Sequence, residues 1–112
     1  MHRADRPVAL SIAGADPTAG AGIQADLLTF TAFGVHGCTA VSAVTVQDTR
    51  RVHQFVALAP DLVMAQARAV LDDMPVAVIK IGMLCSSALV RALSVLLTQY
   101  PQIPVLLDPI LR

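Results

Sequence analysis

Residues 8–30 read VALSIAGADPTAGAGIQADLLTF, and this stretch decides the fold. Val8 to Ala13 is an apolar run broken only by Ser11, short enough for a strand buried on both faces. Glycine and proline then cluster from Gly14 to Gly22. Ile23, Leu27 and Phe30 follow at helical spacing, and Gly34 supplies a stop. Strand, glycine-rich turn and helix in that order open an α/β unit.

The rest of the chain repeats the alternation. Thr39 to Val46 reads as a second strand and Gln54 to Leu58 as a short third. Pro60 fits the first turn of a helix, with Asp61 at its positive end and Val63, Ala67, Val70, Leu71 and Met74 as its apolar stripe. Val76 to Ile81 is a further strand. Ser86 or Ser87 can cap a helix carrying Leu89, Val90, Leu93 and Leu97. Ile103 to Leu107 is the last strand. This order predicts an α/β fold, a mainly parallel sheet with helices on both faces.

Composition narrows the function classes. Of 112 residues, 55% are hydrophobic and 14% charged, against roughly 45–50% and about 25% in ordinary soluble domains. A domain this small buries only about two thirds of its unfolded surface. The excess apolar surface therefore calls for a covering partner, self-association or further chain. Every apolar run is interrupted well short of the roughly 18 residues of a membrane span, so no membrane partner is expected, and no signal peptide is visible at MHRADRP. Eight basic and eight acidic residues cancel without a basic run, which argues against nucleic acid. Cys38 and Cys85 lack paired spacing and read as reduced thiols of a cytoplasmic protein. His2, His36 and His53 share no metal-ligand spacing.

Ligands of open α/β sheets bind outside the carboxyl ends of the strands. There the sequence places the Gly14–Gly22 loop, Gln47-Asp48-Thr49, Gly82-Met83 and Asp108-Pro109, which also read as plain turn punctuation. The loop lacks a GK[ST] ending and a spaced GxGxxG; it is a tight turn or a site for an anion or polar oxygen. Asp26 reads either as a dipole partner on a solvated face or as an acceptor for a ligand hydroxyl or amine. Gln47 carries both acceptor and donors, which suits the edge of a heterocycle. Lys80, between Ile79 and Ile81, needs a carboxylate or a cavity.

Taken together, these segments resemble the hydroxymethylpyrimidine/phosphomethylpyrimidine kinases of the ribokinase-like superfamily. ALSIAGADPTAGAG (9–22) is similar to their opening loop, which usually reads AG-S/T-DPSGGAG, and GIQAD (22–26) continues it. AVTVQDT (43–49), KIGML (80–84) and LDPI (107–110) resemble three further motifs in order. The resemblance implies the N-terminal portion, over residues 1–112, of a three-layer α/β/α kinase domain. Such kinases phosphorylate 4-amino-5-hydroxymethyl-2-methylpyrimidine and its monophosphate with ATP and Mg²⁺. It places Ala21, Asp26, Gln47, Met83 and Ile110 in an aminopyrimidine pocket: Gln47 at the ring edge, Met83 on the ring, Asp26 near the hydroxymethyl group. Asp108 falls near the phosphates and metal.

Three departures stand out: Ala19 replaces a usual glycine, Asp48 a usual asparagine, and the family's GTGC-like anion-hole turn with its catalytic residue has no counterpart here. The chain alone is therefore expected to hold no catalytic residue, not to bind ATP and Mg²⁺ fully, and to self-associate or need a C-terminal half. A non-catalytic remnant or pyrimidine-binding module is one alternative. A pyridoxal kinase-like enzyme is another, against which Gln47 and Met83 speak.

Overall fold

The apolar run that opens the chain forms a central strand. A computed structural model describes residues 5–108. Its elements are β1 (Val8–Ala15), α1 (Gly22–Ala32), β2 (His36–Gln47), β3 (Val52–Ala57), α2 (Pro60–Leu71), β4 (Val76–Ile81), α3 (Ser87–Thr98) and β5 (Val105–Leu107). The sheet order is β3-β2-β1-β4-β5. β1 pairs in parallel with β2 and β4, and β4 with β5; β2 and β3 are antiparallel.

This order fixes the layers. The chain leaves β1 toward β2 on one side and later moves from β4 to β5 on the other. Crossovers of one hand then place α1 on one face and α3 on the opposite face. The side chains agree. Val8, Leu10 and Ile12 of β1 join Ile79 and Ile81 of β4 in a core with Val63 and Ala67 of α2 and Leu89, Leu93 and Leu96 of α3. Ser11, between them, turns the other way and donates to Asp26 of α1. A three-layer α/β/α arrangement results.

Local chemistry sets the boundaries. Gly34, at φ +72°, ends α1 in the left-handed conformation that glycine adopts without strain. Val35 N–H reaches back to Phe30 O at 2.8 Å, which closes the helix. Ser86 caps α3 by accepting from Leu89 N at 3.1 Å. The α3 stripe follows from that start: Leu89, Leu93 and Leu96 are buried, whereas Val90 is exposed and Leu97 only partly covered.

Four strands differ from their expected bounds; β2, expected over Thr39 to Val46, runs His36–Gln47. β1 runs on to Ala15, carrying backbone pairing into the glycine-rich loop. β3 begins at Val52 because Asp48 accepts from Arg50 N and Arg51 N at 2.8 and 3.0 Å, which tightens the turn after β2. β5 begins only at Val105, since Ile103 N–H is held in a turn by Tyr100 O and Ile103 itself packs against the core.

Candidate functional site

In the order β3-β2-β1-β4-β5, β1 and β4 are neighbours whose onward connections diverge. A crevice opens at the carboxyl ends of such strands. Here it is a cleft of about 350 Å³ lined by Gly14, Asp16, Gly20, Ala21, Asp26, Thr45, Gln47, Lys80, Met83 and Asp108 among others.

The loop between β1 and α1 forms its floor. Asp16, only 5% exposed, organises it. Its carboxylate accepts from Thr18 N and Thr18 Oγ1, both at 2.8 Å, and from Ala21 N at 3.0 Å. The Thr18 backbone bond, ahead of an opposing effect of burial, holds the Asp16 carboxyl below its ordinary range. Gln24 Oε1 in turn accepts from Asp16 N at 2.9 Å. Gly22, at φ +69°, lies so close to β1 that a Cβ would stand 2.3 Å from Gly14 O. Ala19 is the described non-glycine residue in the left-handed region, at φ +60°. The glycine usual there in the resembling family is thus replaced where its freedom counts.

On the α1 side of the sheet lies a charged cluster. Ser11 and Lys80 are register partners on β1 and β4, and both reach Asp26 on α1. Ser11 Oγ donates to Asp26 Oδ2 at 2.6 Å, and Lys80 Nζ donates to Asp26 Oδ1 at 2.6 Å. Asp108 N–H pairs with Ile81 O, which sets Asp108 Oδ2 3.4 Å from the same ammonium. The side chains of Lys80 and Asp26 are 20% and 12% exposed. Burial alone pushes the Lys80 ammonium down; the hydrogen bond and charge of Asp26, with Asp108 behind them, outweigh it and hold Lys80 above its ordinary value. The reading of Asp26 as a dipole partner on a solvated face is therefore corrected: it points inward. Lys80 has both the carboxylate and the cavity it required.

Across the cleft, Thr45 and Gln47 share one face of β2, two residues apart. Thr45 Oγ1 donates to Ala15 O at 2.8 Å and accepts from Gln47 Nε2 at 2.7 Å. Met83 leaves the end of β4 half exposed, its carbonyl accepting from Ser42 Oγ at 3.3 Å. Thus Ala21, Asp26, Gln47, Met83 and Asp108, marked out in sequence from four separate segments, line one cleft. Ile110 lies outside the described residues. Asp16 and Thr45 were not marked out. Asp16 had a legible signal, since Asp-Pro-Thr before a helix favours side-chain-to-backbone turns. Thr45 had the two-residue spacing from Gln47.

Comparison with known proteins finds relatives over nearly the whole chain. The chain is 44% identical over 103 residues to the hydroxymethylpyrimidine/phosphomethylpyrimidine kinase of Escherichia coli K12, covering 92% of this chain and 39% of that protein. It is 42% identical over 102 residues to a thiamine biosynthesis bifunctional protein of Geobacter sulfurreducens, covering 91% of this chain and 21% of that protein. The chain thus spans well under half the length of these relatives. Among solved structures, phosphomethylpyrimidine kinase of Clostridium difficile 630 superposes with a TM-score of 0.90 at 36% identity, over 95% of this chain and 46% of that one. The ADP complex of Bacillus subtilis pyridoxal kinase superposes with a TM-score of 0.87 at 32% identity, over 96% and 42%. The family model described as phosphomethylpyrimidine kinase matches residues 16–112, and the chain belongs to that family.

Proposed function

We propose that residues 1–112 supply the pyrimidine-binding part of a cytoplasmic, ATP-dependent kinase acting on hydroxymethylpyrimidine and its monophosphate in thiamine biosynthesis. One observation carries this reading: five residues from four segments converge on a strand-end cleft at the point where the sheet connections diverge. In this reading Gln47 meets the ring edge, Met83 packs on the ring and Ala21 lines the pocket; Ile110, outside the described residues, is added by the resemblance alone. Asp26 faces the hydroxymethyl group.

Structures similar to this chain include the ADP complex of Bacillus subtilis pyridoxal kinase and a Staphylococcus aureus pyridoxal kinase bound to AMP-PCP and pyridoxal, which supports a nucleotide as phosphoryl donor. Among the described residues no group of three or more His, Cys, Asp or Glu could hold a metal. Asp108 is an exposed carboxylate whose side chain, among the described residues, meets only Lys80 at 3.4 Å, so it suits a Mg²⁺ held mainly by nucleotide phosphates. Such an ion would neutralise phosphate charge. The chain's own contribution is to orient the acceptor, with the Lys80–Asp26 pair fixing a carboxylate beside the hydroxyl that would react. No helix among the described residues is long and apolar enough to cross a membrane.

Calorimetric titration with hydroxymethylpyrimidine tests the reading. Leaving a buried polar group of the ligand unpaired costs on the order of 1–3 kcal/mol, so Gln47→Ala is expected to weaken binding about tenfold or more. Equal affinity of wild type and Gln47→Ala, or tighter binding of pyridoxal than of the pyrimidine, contradicts it.

A further inference from the structure

The Thr45 hydroxyl can donate one hydrogen, and its direction is settled. Ala15 O lies 2.8 Å from Thr45 Oγ1, and a carbonyl oxygen only accepts, so the Thr45 proton points at it. Whatever else approaches Thr45 Oγ1 must then be a donor. The Gln47 amide does so at 2.7 Å. Its nitrogen, not its oxygen, must therefore face Thr45. The orientation of a glutamine amide usually rests on choosing between two near-identical atoms; here the neighbouring hydroxyl makes the choice.

With one Nε2 proton engaged, Gln47 keeps two functions for the cleft: the acceptor Oε1 and the second Nε2 proton. Among the described residues Oε1 has no hydrogen-bond partner. An acceptor beside a donor complements a ligand edge with a donor beside an acceptor. That is the amidine edge of a 4-aminopyrimidine, an exocyclic NH₂ next to a ring nitrogen. A lactam edge, with C=O next to N–H, needs the reverse. Presenting the reverse would set Gln47 Oε1 against Thr45 Oγ1, two acceptors in contact. Alternatively Thr45 would have to turn its proton away from Ala15 O and give up that bond. Thr45 is only 7% exposed, so water is not at hand to repair either loss.

We infer that Thr45 is a specificity-determining positioning residue: by locking the Gln47 amide it makes the cleft select a 4-amino edge and reject a 4-oxo edge. This rests on the pyrimidine reading above and adds to it the residue that sets the polarity of recognition. It also assigns the Thr45–Ala15 bond a second effect. The bond ties the β2 end to the β1 loop, so the loop that floors the cleft and the amide that reads the ligand are fixed through one hydroxyl.

The experiment compares two probes, 4-amino-5-hydroxymethyl-2-methylpyrimidine and its 4-oxo counterpart, titrated into the wild-type chain, Thr45→Val and Thr45→Ser. The ratio of the two affinities within one variant does not depend on how much of that variant is folded. Wild type is expected to prefer the amino probe by at least about tenfold. Thr45→Val is expected to lose most of that preference, by weaker amino and stronger oxo binding, and Thr45→Ser to keep it. An unchanged ratio in Thr45→Val overturns the inference, as does loss of the ratio in Thr45→Ser. Equal wild-type affinity for both probes overturns it while leaving the pyrimidine site standing; binding of neither probe overturns both. A second readout serves if Thr45→Val does not fold. In wild type a nuclear Overhauser contact is expected between a Gln47 Nε2 proton and the Thr45 side chain, and its absence overturns the lock.

Discussion

Among single residues, Lys80 carries a direct electrostatic consequence. It is a cation in a central strand, mostly buried, hydrogen bonded to Asp26 at 2.6 Å. Fully buried pairs lose 3–5 kcal/mol when one partner is removed and exposed pairs lose under about 1 kcal/mol; this pair lies between. Lys80→Met is expected to lower stability in urea by about 2 kcal/mol, and Lys80→Met with Asp26→Asn to recover part of that. A loss below about 0.5 kcal/mol contradicts the pairing. The pH dependence follows from the raised value of Lys80. A cation whose folded value lies above its unfolded one contributes in full below the ordinary lysine range, and the contribution fades as pH rises through the folded value. Wild type is therefore expected to lose stability on its alkaline limb, above about pH 10, and Lys80→Met to lack that component.

Ala19 tests backbone strain at the same scale. At φ +60° it occupies a region costing an L-residue roughly 1–2 kcal/mol. Glycine removes that cost but adds unfolded-chain entropy of about 0.4–1 kcal/mol. Ala19→Gly is therefore expected to gain about 0.5–1 kcal/mol in denaturant unfolding, and Ala19→Val to lose stability. A loss with glycine contradicts the strain.

At the scale of elements, the β1–α1 loop is held by one carboxylate rather than by apolar packing. Asp16 lies below its ordinary range, so its contribution is present above the usual aspartate value near 3.9. It is lost as pH falls through the lower folded value. Backbone amides of Thr18 and Ala21 are expected to shift together as pH falls through that range, and to be displaced already at neutral pH in Asp16→Asn. Amides indifferent to both changes contradict the Asx-type organisation.

Much of this element was legible in the sequence. A buried strand shows as the apolar run from Val8, broken only by Ser11, and the turn shows as glycine and proline in numbers no helix tolerates. Helix starts were legible at Pro60 and, with the choice between Ser86 and Ser87 left open, at the start of α3, for the same local reasons. What was not legible depends on contacts between distant residues. Asp26 near a helix start is indistinguishable from a solvated dipole partner until Lys80, 54 positions on, is seen against it. Thr45 looks like an ordinary strand residue until the Ala15 carbonyl arrives. The β3 and β5 starts were misplaced because a side chain at Asp48 and a turn at Tyr100 decide them.

For the whole molecule, part of the exposed apolar surface lies at both edges of the sheet, beside Leu28, Phe33 and Val95 on or next to the helices. Val52, Phe55 and Val56 are exposed on β3, and Val105, Leu106 and Leu107 on β5. Open strand edges offer unpaired backbone groups, and apolar patches seek cover. A formal net charge of +0 opposes association weakly. The chain is expected to associate with rising concentration near neutral pH, read by sedimentation equilibrium. A monomer persisting at high micromolar concentration contradicts this and means these edges are better protected than their exposure implies.

The central claim is that the cleft at the ends of β1, β2, β4 and β5 receives an aminopyrimidine. Titration of isotope-labelled chain with 4-amino-5-hydroxymethyl-2-methylpyrimidine, followed residue by residue by amide NMR, tests it most directly. The largest saturable shifts are predicted at Gly20 to Gly22, the Gln47 side-chain amide and Gly82-Met83, with the outer faces of α2 and α3 unmoved. Saturable shifts centred away from that cleft, or none at millimolar ligand, would contradict it.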